Sequence, residues 1–335
     1  MDSRIDSNTF LNTTGSSTDQ NIAIFFVSGN PGLIGYYHPF LSLLSKYLDQ
    51  SDGEESANFP SFQIYGCSLG GFEIGEQQPS HPPKSDLDLE DQICFVQGKL
   101  AALMEEKAIG KGRVDANSRQ KVILIGHSVG AYIAMEILRR HREASPESDF
   151  DIIGGAMLFP TVKDIAASPS GQKLTTLLSI IPRLAVVVSF FARLLTFLLS
   201  TSLLRSVVRF VMQDPPAHAL ETTCAFLKSK SGVRQALYMA ADEMRTITSD
   251  KWSDDVWGAA MAREPIVKLF FYFGRNDHWV AEQTRDEIVA IRGQKGGKTG
   301  PTMVVCEEGL PHAFCLKHSD VMARKVAGMI EQIVG

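Results

Sequence analysis

The sequence predicts an α/β protein: a mostly parallel sheet, covered on both faces and interrupted by one helical insertion. Three observations carry this. Apolar segments of strand length alternate with longer segments of helical character along the chain. The strand segments are apolar throughout and do not alternate with polar residues, the mark of strands buried on both faces. Between Pro160 and Val267, about a hundred residues give no strand signal.

The elements follow in order. Residues 1–20 are rich in Ser, Thr, Asn and Asp and lack the apolar run of a secretory signal, so they are expected to be a disordered lead-in. NIAIFFV at 21–27 ends in the turn sequence SGNPG and reads as a buried strand. Further strands are expected at 62–68, 121–128, 151–160, 267–274 and 302–308, and helices at 88–107, 131–141, 281–291 and 318–334. Residues 21–161 and 263–335 then form the core, and 162–262 a helical cap that includes an apolar segment at 182–212. The loop GQKGGKTG at 293–300 is similar to a phosphate-binding loop. Arg292 takes the place of its first glycine and a strand follows it instead of a helix, so that reading is rejected.

Composition narrows the function. The chain has 335 residues, 44% of them hydrophobic, and a net charge of −5 without a dense Lys/Arg block, which argues against nucleic acid as a partner. Its five cysteines have no paired spacing, which argues against a disulfide framework and a zinc site and suits a reducing, cytosolic environment.

The chemistry is concentrated in Gly126-His127-Ser128-Val129-Gly130, a G-x-S-x-G sequence between an expected strand and an expected helix. A nucleophile on such a turn sits in a strained backbone, and the flanking glycines remove the side chains that would clash. Ser128 needs a base to take its proton and an acid to orient the base. In this arrangement both partners follow the nucleophile, each on a loop after a later strand. Asp277 comes just after VKLFFYFG and His312 just after TMVVCEE, giving the order Ser128, Asp277, His312. His278 and the histidines at 141 and 218 read as surface residues, and His318 as the start of a helix. Asp250, Asp254 and Asp255 read as a solvated loop. For the oxyanion, the backbone N–H of Val129 is one expected donor and that of Asn30 the other, because Pro31 has no N–H to offer. No metal cluster stands out, and the chemistry requires no cofactor.

With SGNPGLIGYYHPF, GHSVGAY, GRNDHWV and LPHAFC together, nearly the whole chain after residue 20 resembles the lipid droplet-associated hydrolase family. The resemblance implies an α/β-hydrolase fold and a serine hydrolase of lipid esters, with Ser128 as nucleophile, Asp277 as acid and His312 as base. It also implies a place on lipid droplets and the endoplasmic reticulum. Ser28 stands where proline is expected before GNPG, which bears only on the shape of that loop.

The segment from Leu184 to Leu204 is 21 residues long, enough to cross a bilayer core of about 30 Å. A single crossing would put the strands at 151–160 and 267–274 on opposite sides of a membrane, although they belong to one sheet. A buried cap helix or a segment lying in a membrane surface remains. The apolar residues of this segment leave no polar face, and Arg183, Arg193, Arg205 and Arg209 can reach toward lipid headgroups, which favours surface contact. The expected function is hydrolysis of lipid acyl esters at a droplet or membrane surface. The alternative is a droplet-coating or tethering protein with little turnover.

Overall fold

The structure, a computed structural model, describes residues 3–14, 21–50, 60–75, 86–110, 119–144, 149–259, 267–293 and 300–335. The sheet comprises β1 (Arg4–Ile5), β2 (Thr9–Thr14), β3 (Asn21–Val27), β4 (Ser61–Cys67), β5 (Gln120–His127), β6 (Phe150–Leu158), β7 (Lys268–Phe273) and β8 (Thr302–Val305). Their spatial order is β1-β2-β4-β3-β5-β6-β7-β8. From β4 to β8 every pairing is parallel, and β1 and β2 add an antiparallel edge.

That edge corrects the expectation for residues 1–20, since residues 4–5 and 9–14 are strands. Phe10 pairs with Gly66 of β4 and is fully buried, and the Asn12 side chain donates to Ser45 Oγ at 2.6 Å. In an antiparallel pair at the rim of the sheet, where only the two-residue β1 lies outside β2, one face can stay open, so TFLNTT satisfies it while its composition reads as disordered.

Alternate residues of each inner strand enter two separate cores, which explains their uniform apolarity. Ala23, Phe25 and Val27 of β3 and Val122 and Leu124 of β5 join one core. Ile22, Ile24 and Phe26 of β3 and Ile123 and Ile125 of β5 join the other. The first is closed by α2 (Leu89–Gly110), α3 (Val129–Ala144) and α9 (Glu282–Arg292). The second is closed by α1 (His38–Gln50) and α11 (Ser319–Val334), and the short α10 (Phe314–Lys317) adds Phe314 to it. His318 is the N-cap of α11.

Among the described residues, five α-helices between β6 and β7 form the cap: α4 (Pro169–Ile180), α5 (Leu184–Leu198), α6 (Thr201–Val211), α7 (Ala217–Lys228) and α8 (Gly232–Thr246). The apolar segment is not one rod. It breaks at Leu199–Ser200, where the Ser200 hydroxyl accepts from Leu203 N–H and starts α6. The cap leaves a broad apolar face open: Phe190, Phe191, Phe197 and Leu198 of α5 and Phe210 and Val211 of α6 are all exposed. Among the described residues no single helix is long and apolar enough to cross a membrane. The pair α4 and α5 has the length and composition together but is bent by 93°.

Arg205 pairs with Glu221, and Arg209 lies 3.7 Å from Asp214, so each of these exposed arginines has an acidic neighbour. One expectation for the cap is corrected: the aspartates after α8 are not simply solvated. Asp250 accepts from Trp257 Nε1 at 3.1 Å and Arg292 Nε at 2.7 Å, and Asp254 also pairs with Arg292. This stretch returns to the core, with Trp257 stacked on Phe271 and Trp252 donating to Glu136 at 2.7 Å. Most of the 293–300 loop, and residue 263 where the core was expected to resume, lie outside the described residues.

Candidate active site

The end of β5 runs into α3 through Ser128, whose φ is +57°, in the left-handed region that side chains rarely adopt. The turn is too tight for a side chain on either flank. A Cβ on Gly126 would lie 2.4 Å from the Gly130 carbonyl oxygen, and one on Gly130 would lie 2.3 Å from the Val27 oxygen. Ser128 N–H donates to Leu158 O at 2.9 Å, which ties the strained residue to the end of β6.

The loop after β7 brings Asp277 to the same place. Its carboxylate is nearly inaccessible, and Oδ1 accepts from Trp279 N–H at 2.8 Å. Arg285 of α9 braces the loop by donating to the Arg275 carbonyl at 2.8 Å. The loop after β8 brings His312. Its Nδ1 lies 2.7 Å from Asp277 Oδ2 and 2.9 Å from Oδ1, and its Nε2 lies 2.9 Å from Ser128 Oγ. A carboxylate only accepts, so Nδ1 carries the proton and Nε2 is left to accept from the serine hydroxyl. The three residues expected to act together form one hydrogen-bonded line, in the geometry that lets a base take a hydroxyl proton while an acid holds the ring.

The Ser28–Gly32 loop lies directly against Ser128, since a Cβ on Gly29 would come within 2.9 Å of the Ser128 Cβ. Among the described residues the N–H groups of Asn30 and Val129 have no protein acceptor. The Val129 N–H is at the first turn of α3, where helical N–H groups have no internal partner. The Asn30 side chain points into the cap, where Nδ2 donates to the Ala236 carbonyl at 3.0 Å and to Glu243 Oε1 at 2.9 Å. Burial pushes the Glu243 carboxyl up to about 8, so at neutral pH it is a protonated acid whose free oxygen accepts from Asn30.

His127 was expected only as part of the elbow, and it does more. The ring is buried, and Nε2 lies 2.9 Å from the main-chain oxygen of His312. A carbonyl cannot donate, so Nε2 carries the proton and Nδ1 accepts from Tyr37 Oη at 2.7 Å. Tyr37 Oη in turn accepts from Gly29 N–H at 3.2 Å. One chain of hydrogen bonds therefore links the Gly29 loop, the elbow and the His312 loop. Burial holds the His127 ring well below the usual histidine range, so it is neutral.

Sequence reasoning missed Tyr37 and Glu243. Tyr37 lies within the GYYHPF stretch, but nothing local ties it to His127 ninety positions on. His278 is exposed, as expected of a surface loop, and its Nδ1 meets Ser170 Oγ of α4 at 3.1 Å, which joins the cap to the Asp277 loop. His141 and His218 are half-buried. The first stacks on Phe150, and the second lies 3.2 Å from the Cys315 carbonyl.

Among solved structures the fold is similar to three hydrolases. The haloalkane dehalogenase DbeA from Bradyrhizobium elkani USDA94 matches with a TM-score of 0.57 and 14% identity over 98% of this chain and 96% of that one. A carboxylesterase from Nitrososphaera gargenis matches with a TM-score of 0.55 and 15% identity, over 97% and 95%. A laboratory-evolved variant of potato epoxide hydrolase matches with a TM-score of 0.54 and 14% identity, over 99% of each. At such identities the likeness shows the α/β-hydrolase fold and no particular substrate.

The sequence comparisons go further. The lipid droplet-associated hydrolase of Gallus gallus is 26% identical over 91% of this chain and 83% of its own length. That of Homo sapiens is 24% identical over 92% and 85%, and that of Drosophila melanogaster 26% over 94% and 90%. The family model described as lipid-droplet associated hydrolase matches residues 20–315. The chain belongs to the lipid-droplet associated hydrolase family.

Proposed function

We propose that this protein is a serine hydrolase that cleaves the acyl esters of lipids at the surface of a lipid droplet or of the endoplasmic reticulum, on its cytosolic side. The observation that carries this reading is the line Ser128–His312–Asp277 beneath a cap with an open apolar face.

In this reading Ser128 Oγ attacks the ester carbonyl and gives its proton to His312 Nε2, while Asp277 stabilises the imidazolium. The tetrahedral oxyanion is received by the N–H groups of Asn30 and Val129, with the N-terminus of α3 behind them. Collapse expels the alcohol, protonated by His312, and leaves the acyl group on Ser128. Water, deprotonated by His312, then releases the fatty acid and restores the serine. The apolar face spanning 182–212 rests in the lipid phase and keeps the enzyme at the surface that holds its ester substrates.

The same apolar face would serve a coating or tethering protein without turnover. Incubating a lipid extract with wild type and with Ser128→Ala separates the two readings. Hydrolysis gives fatty acid release from one or more lipid esters with wild type alone. Identical profiles for the two proteins exclude it and leave the tethering function.

A further inference from the structure

The cap carries a cleft of about 770 Å³ between α5 and the turn joining α7 to α8, and its two walls differ in chemistry. One wall is Phe190, Leu194 and Phe197, part of the exposed apolar face. The other is cationic, with Lys228, Lys230 and Arg234 facing Arg193 of α5. Among the described residues that line the cleft, none carries a carboxylate.

The state of each cation matters. Lys228 Nζ donates to the Thr201 hydroxyl, which is not an acid, at 2.9 Å. Arg234 uses Nε on Asp86 at 2.8 Å, which leaves its terminal nitrogens for another acceptor. Arg193 and Lys230 have no carboxylate partner among the described residues, and both are exposed. This sets the cleft apart from α6, where Arg205 and Arg209 are each matched by an acid. The N-terminus of α8, at Gly232 between Lys230 and Arg234, adds positive potential at the same spot. An excess of positive charge beside exposed phenylalanines is complementary to a molecule with an anionic head and apolar tails.

We propose that this cleft binds the phosphate of an anionic glycerophospholipid, with Arg193 and Lys230 as its main ligands and the acyl chains laid along Phe190, Leu194 and Phe197. The proposal rests on the lipid contact of the proposed function and adds a headgroup preference to it. Such a site would hold the cap in one orientation on the lipid surface, because α5 would be pinned at one edge while the rest of its apolar face dips into the acyl region.

Flotation of the full chain with vesicles tests it. One set is phosphatidylcholine alone, and the other is phosphatidylcholine doped with phosphatidylserine. Wild type is expected to bind the doped vesicles on the order of tenfold more tightly, as suits two basic side chains near an anionic surface. Arg193→Gln with Lys230→Gln should remove that gain and leave binding to neutral vesicles and the melting temperature as they were. The control is Arg205→Gln with Arg209→Gln, which makes the same change in charge and should keep the gain within about twofold. Equal loss in both double variants would mean diffuse attraction and overturn the site, as would a wild type indifferent to phosphatidylserine. Wild type that floats with neither vesicle contradicts the underlying lipid contact and the cleft with it. Tight binding of inorganic phosphate to the lipid-free protein, lost in Arg193→Gln with Lys230→Gln, would assign the cleft to a soluble phosphate and overturn the lipid assignment.

Discussion

His127 donates from Nε2 to the main-chain oxygen of His312, 2.9 Å away, so the residue before Ser128 holds the loop that faces it. The other side of the same ring is held by Tyr37, which also takes the N–H of Gly29. Three loops drawn from distant parts of the chain thereby share one buried and neutral imidazole.

His127→Phe keeps an aromatic ring, slightly larger than the imidazole, and breaks both of its hydrogen bonds. It is expected to cost about 1–3 kcal/mol of stability, because the Tyr37 hydroxyl and the His312 carbonyl lose their partner. A small shift of the His312 ring should also lower kcat on the order of 10- to 100-fold with KM nearly unchanged. His127→Gln, which keeps an amide donor and an acceptor, should recover part of kcat. Steady-state kinetics beside thermal melts check this, and a variant that loses stability without losing kcat counts against a positioning role.

Asp277→Asn keeps the shape of the acid and removes the charge that fixes the His312 tautomer. If the proposed triad operates, a fall in kcat of roughly 10³- to 10⁴-fold is expected, as for the acid of a Ser-His-Asp triad. Circular dichroism and melting should show that the fold persists.

Glu243 gives a pH dependence with a definite sign. Its carboxyl is raised from 4.5 to about 8, so the folded state binds more protons than the unfolded state between these values. The stability it contributes is fully present below about pH 4.5 and is lost as pH rises through about 8. Glu243→Gln cannot ionise and can still accept from Asn30, so it should escape the loss. The melting temperature of the variant, measured against wild type from pH 5 to pH 9, should pull ahead by several degrees at the alkaline end. This corresponds to a difference on the order of a few kcal/mol.

The elbow glycines and a helix glycine should respond in opposite ways. Gly130→Ala places a methyl group 2.3 Å from the Val27 oxygen, against backbone that cannot give way, and is expected to abolish soluble folded protein. At Gly98 in α2, a methyl group would meet nothing within 4 Å, and Gly98→Ala is expected to gain about 0.5–1 kcal/mol from the lower entropy of its unfolded chain. Expression and thermal melts of the two variants are a sufficient check.

Phe210 is 85% exposed, and Phe210→Ser should leave the melting temperature unchanged within about 0.5 kcal/mol of stability. If α6 rests in lipid, the same substitution should reduce the fraction of protein that floats with triglyceride droplets.

The line of Ser128, Asp277 and His312 was legible because its signals are local. The G-x-S-x-G turn lies between a strand and a helix, and the partners follow the ends of strands. The parallel core was legible because both faces of β3 and β5 are buried, which leaves no polar alternation to confuse the reading. The antiparallel edge was hidden, since Thr9–Thr14 acquires its structure from β4 and carries polar residues on its open side. The break in the apolar segment was marked by Ser200, a good N-cap, but continuous apolarity erased the helical period around it. The bond from Asn30 to Glu243 joins residues 213 positions apart, and no short-range pattern announces such a pair.

The central claim is that Ser128 is an activated nucleophile. A fluorophosphonate probe reacts with such a serine and is indifferent to which lipid is the natural substrate. Intact-mass and peptide analysis should find one adduct on wild type, located on Ser128, and none on Ser128→Ala. Wild type that takes no label, or a Ser128→Ala variant labelled to the same extent, would contradict the account.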